Sequence, residues 1–182
     1  DKQKIALFCN VAKDAVISAP DVSNIYKVPL TLHEQALDKQ ILSFFHLPLN
    51  KEPNLTKWHK VQNDIENVKK AVNIGIVGKY TKLGDAYKSL EEAIMHAALA
   101  NDVKANISWI DSRKMSEISN KYDAILVPGG FGEDGVEGKL AYIKLARESK
   151  IPFFGICFGM QLAVIEMARN LVHMAGASST EF

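Results

Sequence analysis

The sequence runs to 182 residues, 47% of them apolar, and its 22 Lys and Arg nearly cancel 21 Asp and Glu. That composition supports a buried core and excludes a disordered chain. It supplies no broad basic field for nucleic acid or an anionic membrane surface, and leaves small anionic substrates to local groups. Cys9 and Cys157 are the two cysteines, which reads as a reduced, cytoplasmic protein whose cysteines are core filler or reactive thiols. The longest apolar stretch, residues 151–165, is broken by Gly155, Gly159 and Gln161. It falls short of the ~20 residues of a membrane span.

In chain order, Ile5-Ala6-Leu7-Phe8 predicts a strand, with Cys9 at its end as core filler. Asp21 predicts a helix cap, and Leu30, His33, Leu37, Ile41 and Phe45 share one helical face. Residues 48–54 carry two prolines and read as a connector. Trp58, Val61, Ile65 and Val68 then predict an amphipathic helix lying on a domain surface. From Val72 the pattern changes to strands at 72–77, 106–110, 123–127 and 153–156. Helices are predicted at 85–100, 137–149 and 159–170, the first with Leu90, Ile94 and Ala97 inward. Such alternation implies an α/β fold on a parallel sheet, with ligands beyond the carboxyl ends of the strands. With no methionine at position 1 and no closing helix after Ser179, the sequence reads as an internal piece of a longer chain.

Gly155-Ile156-Cys157-Phe158-Gly159 joins an apolar strand to a helix. A nucleophile on so sharp a turn sits in a strained backbone conformation, and the flanking glycines let the turn close. It also lies at a helix N-terminus, where peptide dipoles favour the attacking thiolate. The backbone N–H of Phe158 then faces the oxyanion of a tetrahedral intermediate. Pro128-Gly129-Gly130-Phe131-Gly132 ends a neighbouring strand, and its bare backbone offers a second donor, from Gly130. It is no Walker loop, because no Gly-Lys-Ser/Thr follows, and Gly75-Ile76-Val77-Gly78-Lys79 fails the same test at Tyr80. A cysteine nucleophile needs a base. His33, His46, His59, His96 and His173 all read as solvated or packed, which places the base beyond Phe182. A cysteine hydrolase, or a binding module with a structural Cys157, remains an alternative on these residues alone.

Leu126-Val127-Pro128-Gly129-Gly130-Phe131-Gly132 together with Gly155-Ile156-Cys157-Phe158-Gly159-Met160-Gln161 resembles the class I glutamine amidotransferases. Gly78-Lys79-Tyr80, Asp85-Ala86-Tyr87-Lys88-Ser89, Gly135-Val136-Glu137-Gly138-Lys139 and Ser179-Thr180-Glu181-Phe182 are similar to the CTP synthase family within them. So are Lys4-Ile5-Ala6-Leu7-Phe8-Cys9-Asn10-Val11 and Asp21-Val22-Ser23-Asn24-Ile25-Tyr26. The resemblance implies the C-terminal end of an α/β amidoligase (synthetase) domain at 1–47, a linker at 48–71, and the N-terminal half of a glutaminase domain at 72–182.

It further implies a ligase that aminates UTP to CTP with ATP and Mg2+, using ammonia from glutamine, in a cytoplasmic homotetramer that binds neither nucleic acid nor membrane. CTP would inhibit by feedback and GTP would activate. By matching motif, Cys157 is the nucleophile and the backbones of Gly130 and Phe158 form the oxyanion hole. Gly130, Phe158, Gly159, Met160, Gln161 and Glu181 bind glutamine. Lys4 contacts UTP or CTP, while Asp21 and Val22 border the adenine of ATP. The magnesium ligands and phosphate loop fall upstream of Asp1. Asp134 stands where the family usually has arginine, which implies an abnormal GTP response. Gly84 replaces a usual proline, and Phe158 a usual leucine.

Overall fold

The computed structural model describes residues 1–81, 85–115 and 118–181, so that Gly84 and Phe182 lie outside the described residues. The chain divides into two compact units, Asp1–Val68 and Lys69–Phe182.

The first unit is helical: α1 (Lys2–Cys9), α2 (Val28–Glu34), α3 (Leu37–Phe44) and α4 (Thr56–Asn67), with short 3-10 turns at Lys13–Ala15 and Ile25–Lys27. The segment expected as a strand is therefore α1. Asp1 caps it, its carboxylate accepting from the N–H groups of Gln3 and Lys4. A side-chain acceptor at that position satisfies donors that a helix start otherwise leaves unpaired. Only Ala6 of this helix is buried, and Cys9 is exposed, so the core-filler expectation for Cys9 is also overturned. Four apolar residues in a row carry no period, and the cap decided between helix and strand.

Asp21 caps no helix; it is exposed in a stretch without helix or strand. The single helical face expected from Leu30 to Phe45 is two helices, broken where Ala36 adopts φ 61°. The helix predicted around Trp58 is α4, which packs within this unit through paired hydrogen bonds between the Gln62 and Asn24 amides, at 2.9 and 3.2 Å.

The second unit is built on β1 (Lys70–Gly78), α5 (Lys88–Ala100), β2 (Val103–Asp111), β3 (Ala124–Val127), α6 (Val136–Glu148), β4 (Phe153–Gly155) and α7 (Phe158–Asn170). All strand pairs are parallel, in the order β2-β1-β3-β4. Parallel neighbours need crossovers, which the helices supply. Strand order reverses about β1, so the loops leaving β1 and β3 diverge at the carboxyl edge, where ligands of such sheets bind.

The core joins Val77, Ile125 and Val127 of the sheet to Val136, Leu140, Tyr142, Ile143 and Ala146 of α6, and to Phe158, Leu162 and Ile165 of α7. An ion pair locks α6 to α7: the Arg147 guanidinium donates to the Glu166 carboxylate at 2.8–3.2 Å, with Glu166 only 1% exposed. In α5 the buried alanine is Ala98, not Ala97, one residue round the helix from the predicted face.

Candidate functional site

β3 and β4 lie side by side, with Val127 paired to Gly155. The chain leaves each of them into one of the two predicted loops. After β4, the Ile156 N–H donates to the Val127 carbonyl at 2.9 Å, prolonging the pairing by one residue. Cys157 then turns the chain with φ 54° and ψ −109°, and α7 begins at Phe158. A positive φ at a residue with a Cβ costs about 1–3 kcal/mol and persists only where its surroundings enforce it. Here the enforcement is visible. The Cys157 carbonyl accepts from the N–H groups of Met160 and Gln161 at 3.1 and 3.2 Å, and that of Ile156 accepts from Gly159 at 2.9 Å.

The helix start is seated on β3 so closely that a Cβ on Gly159 would lie 2.0 Å from the Val127 carbonyl oxygen. No other residue type fits there. Cys157 is exposed rather than sealed in the core.

The loop after β3 passes directly beside this cysteine: a Cβ on Gly129 would meet the Cys157 Cβ at 3.6 Å. Gly130 has φ 133°, a conformation that glycine alone adopts readily. Its N–H has no acceptor among the described residues. Two lysines hold the other side of the loop. Lys79, just past β1, donates to the Phe131 carbonyl at 2.6 Å, and Lys139, in the first turn of α6, donates to the Gly130 carbonyl at 3.3 Å. Lys139 is 1% exposed, and its ammonium also lies 5.4 Å from the centre of the Phe158 ring. Burial, reinforced by the like charge of Lys79 and opposed by Asp134, holds the Lys139 ammonium below the ordinary lysine range. The Phe131 and Phe158 rings meet at 5.8 Å.

Gln161 and Glu181 are brought together through Ser179, whose hydroxyl donates to Gln161 Oε1 at 3.1 Å and accepts from the Glu181 N–H at 3.2 Å. Ser179 was given no role from the sequence, although it lies in a quoted motif. Lys79 and Lys139 were likewise missed as loop anchors, since only the fold carries them to the loop. Met160 is exposed and Gly159 buried on the first turn of α7.

Lys4, Asp21 and Val22 belong to the first unit. Lys4 and Asp21 are exposed, Val22 is half-buried, and no hydrogen bond links them. Among the described residues no side chain hydrogen-bonds Cys157. His33 is engaged by Asp38 at 2.9 Å within the first unit, and His173 is exposed after α7. Among the described residues, no group of three or more His, Cys, Asp and Glu side chains could hold a metal ion. No helix among them is long and apolar enough to cross a membrane.

The loop-and-elbow pair falls inside a match to the family model described as glutamine amidotransferase class-I, over residues 82–180. The chain belongs to that family. Residues 1–47 match a second model, CTP synthase N-terminus. The whole chain is 52% identical to CTP synthase of Rhizorhabdus wittichii, covering 35% of that protein. It is also 52% identical to CTP synthase of Hydrogenobaculum sp., covering 34%. It thus spans about a third of the length of the relatives it matches. Among solved structures it is similar to the glutaminase domain of Trypanosoma brucei CTPS with bound acivicin. That match has a TM-score of 0.56 and 41% identity, over 61% of this chain and 46% of that one.

Proposed function

We infer that these 182 residues are part of a glutamine-dependent CTP synthase, and that the second unit carries the nucleophile of its glutamine-hydrolysing site. The observation that carries this is Cys157 exposed at a strained strand-to-helix turn, beside a loop whose Gly130 N–H has no acceptor among the described residues. In this reading the Cys157 thiolate attacks the side-chain amide carbon of glutamine. The former carbonyl oxygen becomes an oxyanion, which the N–H groups of Gly130 and Phe158 stabilise in a preorganised site. Collapse expels the nitrogen as ammonia, which receives the proton taken from the Cys157 thiol, and leaves a glutamyl thioester, which water hydrolyses to glutamate. Gln161 and Glu181, joined through Ser179, hold the amino-acid end of the substrate, and the Glu181 carboxylate suits its ammonium. Gly159 and Met160 complete that wall of the site. The base that takes the Cys157 proton is a residue outside these 182, because no described histidine is bonded to the sulfur.

The ammonia would be consumed at a synthetase site, where ATP activates the 4-oxygen of UTP to give CTP. Lys4 would contact the pyrimidine nucleotide there, and Asp21 and Val22 the adenine. ATP-bound magnesium would be held by residues not among those described. Feedback by CTP, a cytoplasmic location and a homotetramer belong to the same reading. Asp134, where relatives of this kind usually carry arginine, weakens or abolishes activation by GTP.

The test is Cys157→Ala in the complete enzyme. CTP synthesis from glutamine should fall by at least about 10⁴-fold, as for loss of a covalent nucleophile, while synthesis from added ammonium chloride continues. Retention of the glutamine-driven rate would refute the assignment.

A further inference from the structure

A buried lysine is expensive unless a carboxylate compensates it. Lys139 is 1% exposed, and no carboxylate among the described residues forms an ion pair with it. Its two contacts are instead the Gly130 carbonyl at 3.3 Å and the face of the Phe158 ring at 5.4 Å. Gly130 and Phe158 are the two residues whose N–H groups would face the oxyanion, and they come from separate loops. One ammonium therefore spans both halves of the donor pair. By anchoring the Gly130 carbonyl it fixes the plane of the peptide that follows, and so limits rotation of a glycine that is otherwise free to turn. By resting on Phe158 it ties that loop to the first residue of α7. Phe131, on the loop, packs against Phe158 and closes the same triangle.

We propose that Lys139 is a positioning residue for the oxyanion hole, holding the Gly130 and Phe158 donors in register by binding both from beneath. The proposal rests on the glutaminase reading above. In this proposal Lys139 acts through the donors, by way of the Gly130 carbonyl and the Phe158 ring.

Lys139→Met keeps the volume and apolar stem but removes the charge and the donor. In the complete enzyme, glutaminase kcat should fall by about 10- to 100-fold, the loss expected when one oxyanion donor is misplaced by an ångström or less. The KM for glutamine and the rate of Cys157 alkylation by iodoacetamide should stay within about twofold, because neither requires an oxyanion to be stabilised. Lys139→Arg, which keeps a cation and donors, should recover most of the lost kcat. If the Met variant does not fold, Lys139→Gln should show the same loss confined to kcat.

Unchanged kcat in Lys139→Met would overturn the proposal. So would a parallel change in kcat, KM and alkylation rate, which marks a general disturbance of the fold, or an Arg variant no better than Met. Cys157→Ala, assayed alongside, separates the two readings. If it is inactive while Lys139→Met is normal, only the positioning role falls; if Cys157→Ala stays active, the glutaminase reading falls as well.

Discussion

Substituting Gly159 by alanine tests the seating of the Cys157 turn on the sheet. The added Cβ would lie 2.0 Å from the Val127 carbonyl oxygen and 2.8 Å from its carbon. Carbon and oxygen tolerate an approach of about 3.3 Å, so α7 must retreat from β3 by about 1.3 Å. Both parties are backbone, and no change of rotamer relieves the clash. The retreat strains the 2.9 Å hydrogen bond from Ile156 to Val127, and draws Phe158 and Leu162, both fully buried, away from the sheet. Overpacking of this kind costs about 1–3 kcal/mol. A shift of about 1 Å at a reacting centre costs roughly 10²-fold in rate. Gly176→Ala is the control, since a Cβ there would meet nothing within 4 Å. Urea unfolding of the 182-residue chain should show a lowered midpoint for Gly159→Ala and none for Gly176→Ala, and glutaminase kcat in the complete enzyme should follow. A Gly159→Ala protein with wild-type midpoint and kcat would show that α7 is not held against β3 as described.

Two further outcomes are expected. Both cysteines are exposed, but Cys157 sits at the N-terminal end of α7 and Cys9 is the last residue of α1. Neither is sealed in a core, so iodoacetamide should label both in the folded chain, as read by peptide mass spectrometry; protection of Cys157 would contradict its exposed place on the turn. The Arg113 guanidinium, donating to both Asp111 carboxylate oxygens at 2.8 Å, holds the Asp111 carboxyl at about 2, against its ordinary 3.8. An acid whose pKa is depressed on folding contributes stability above its unfolded value, and that contribution is lost as pH falls through the folded one. Arg113→Ala should therefore flatten the loss of stability between pH 4 and about 2, measured by thermal melts across that window, and raise the Asp111 pKa in carboxyl NMR titration.

Strands β1, β3 and β4 were legible because they are short, largely apolar runs that end at or beside glycine or proline, so local preference and tertiary burial agree. The glycine loop and the cysteine elbow were legible for a related reason: their backbone conformations restrict which residues can occupy them. The structure decided α1, where four apolar residues carry no period and Asp1 caps the helix they form. The same holds for the break at Ala36, which splits a periodic run into two helices. Of the candidate site, the sequence marked the glycine loop and the cysteine turn, each by its own local motif, and the structure brings the two side by side. The sequence did not show Lys79, Lys139 or Ser179 as partners of that site. Lys79 lies 52 residues from Phe131, Ser179 lies 18 from Gln161 and Lys139 lies nine from Gly130, and they meet only once a parallel sheet and its crossovers bring strand ends and helix starts to one edge.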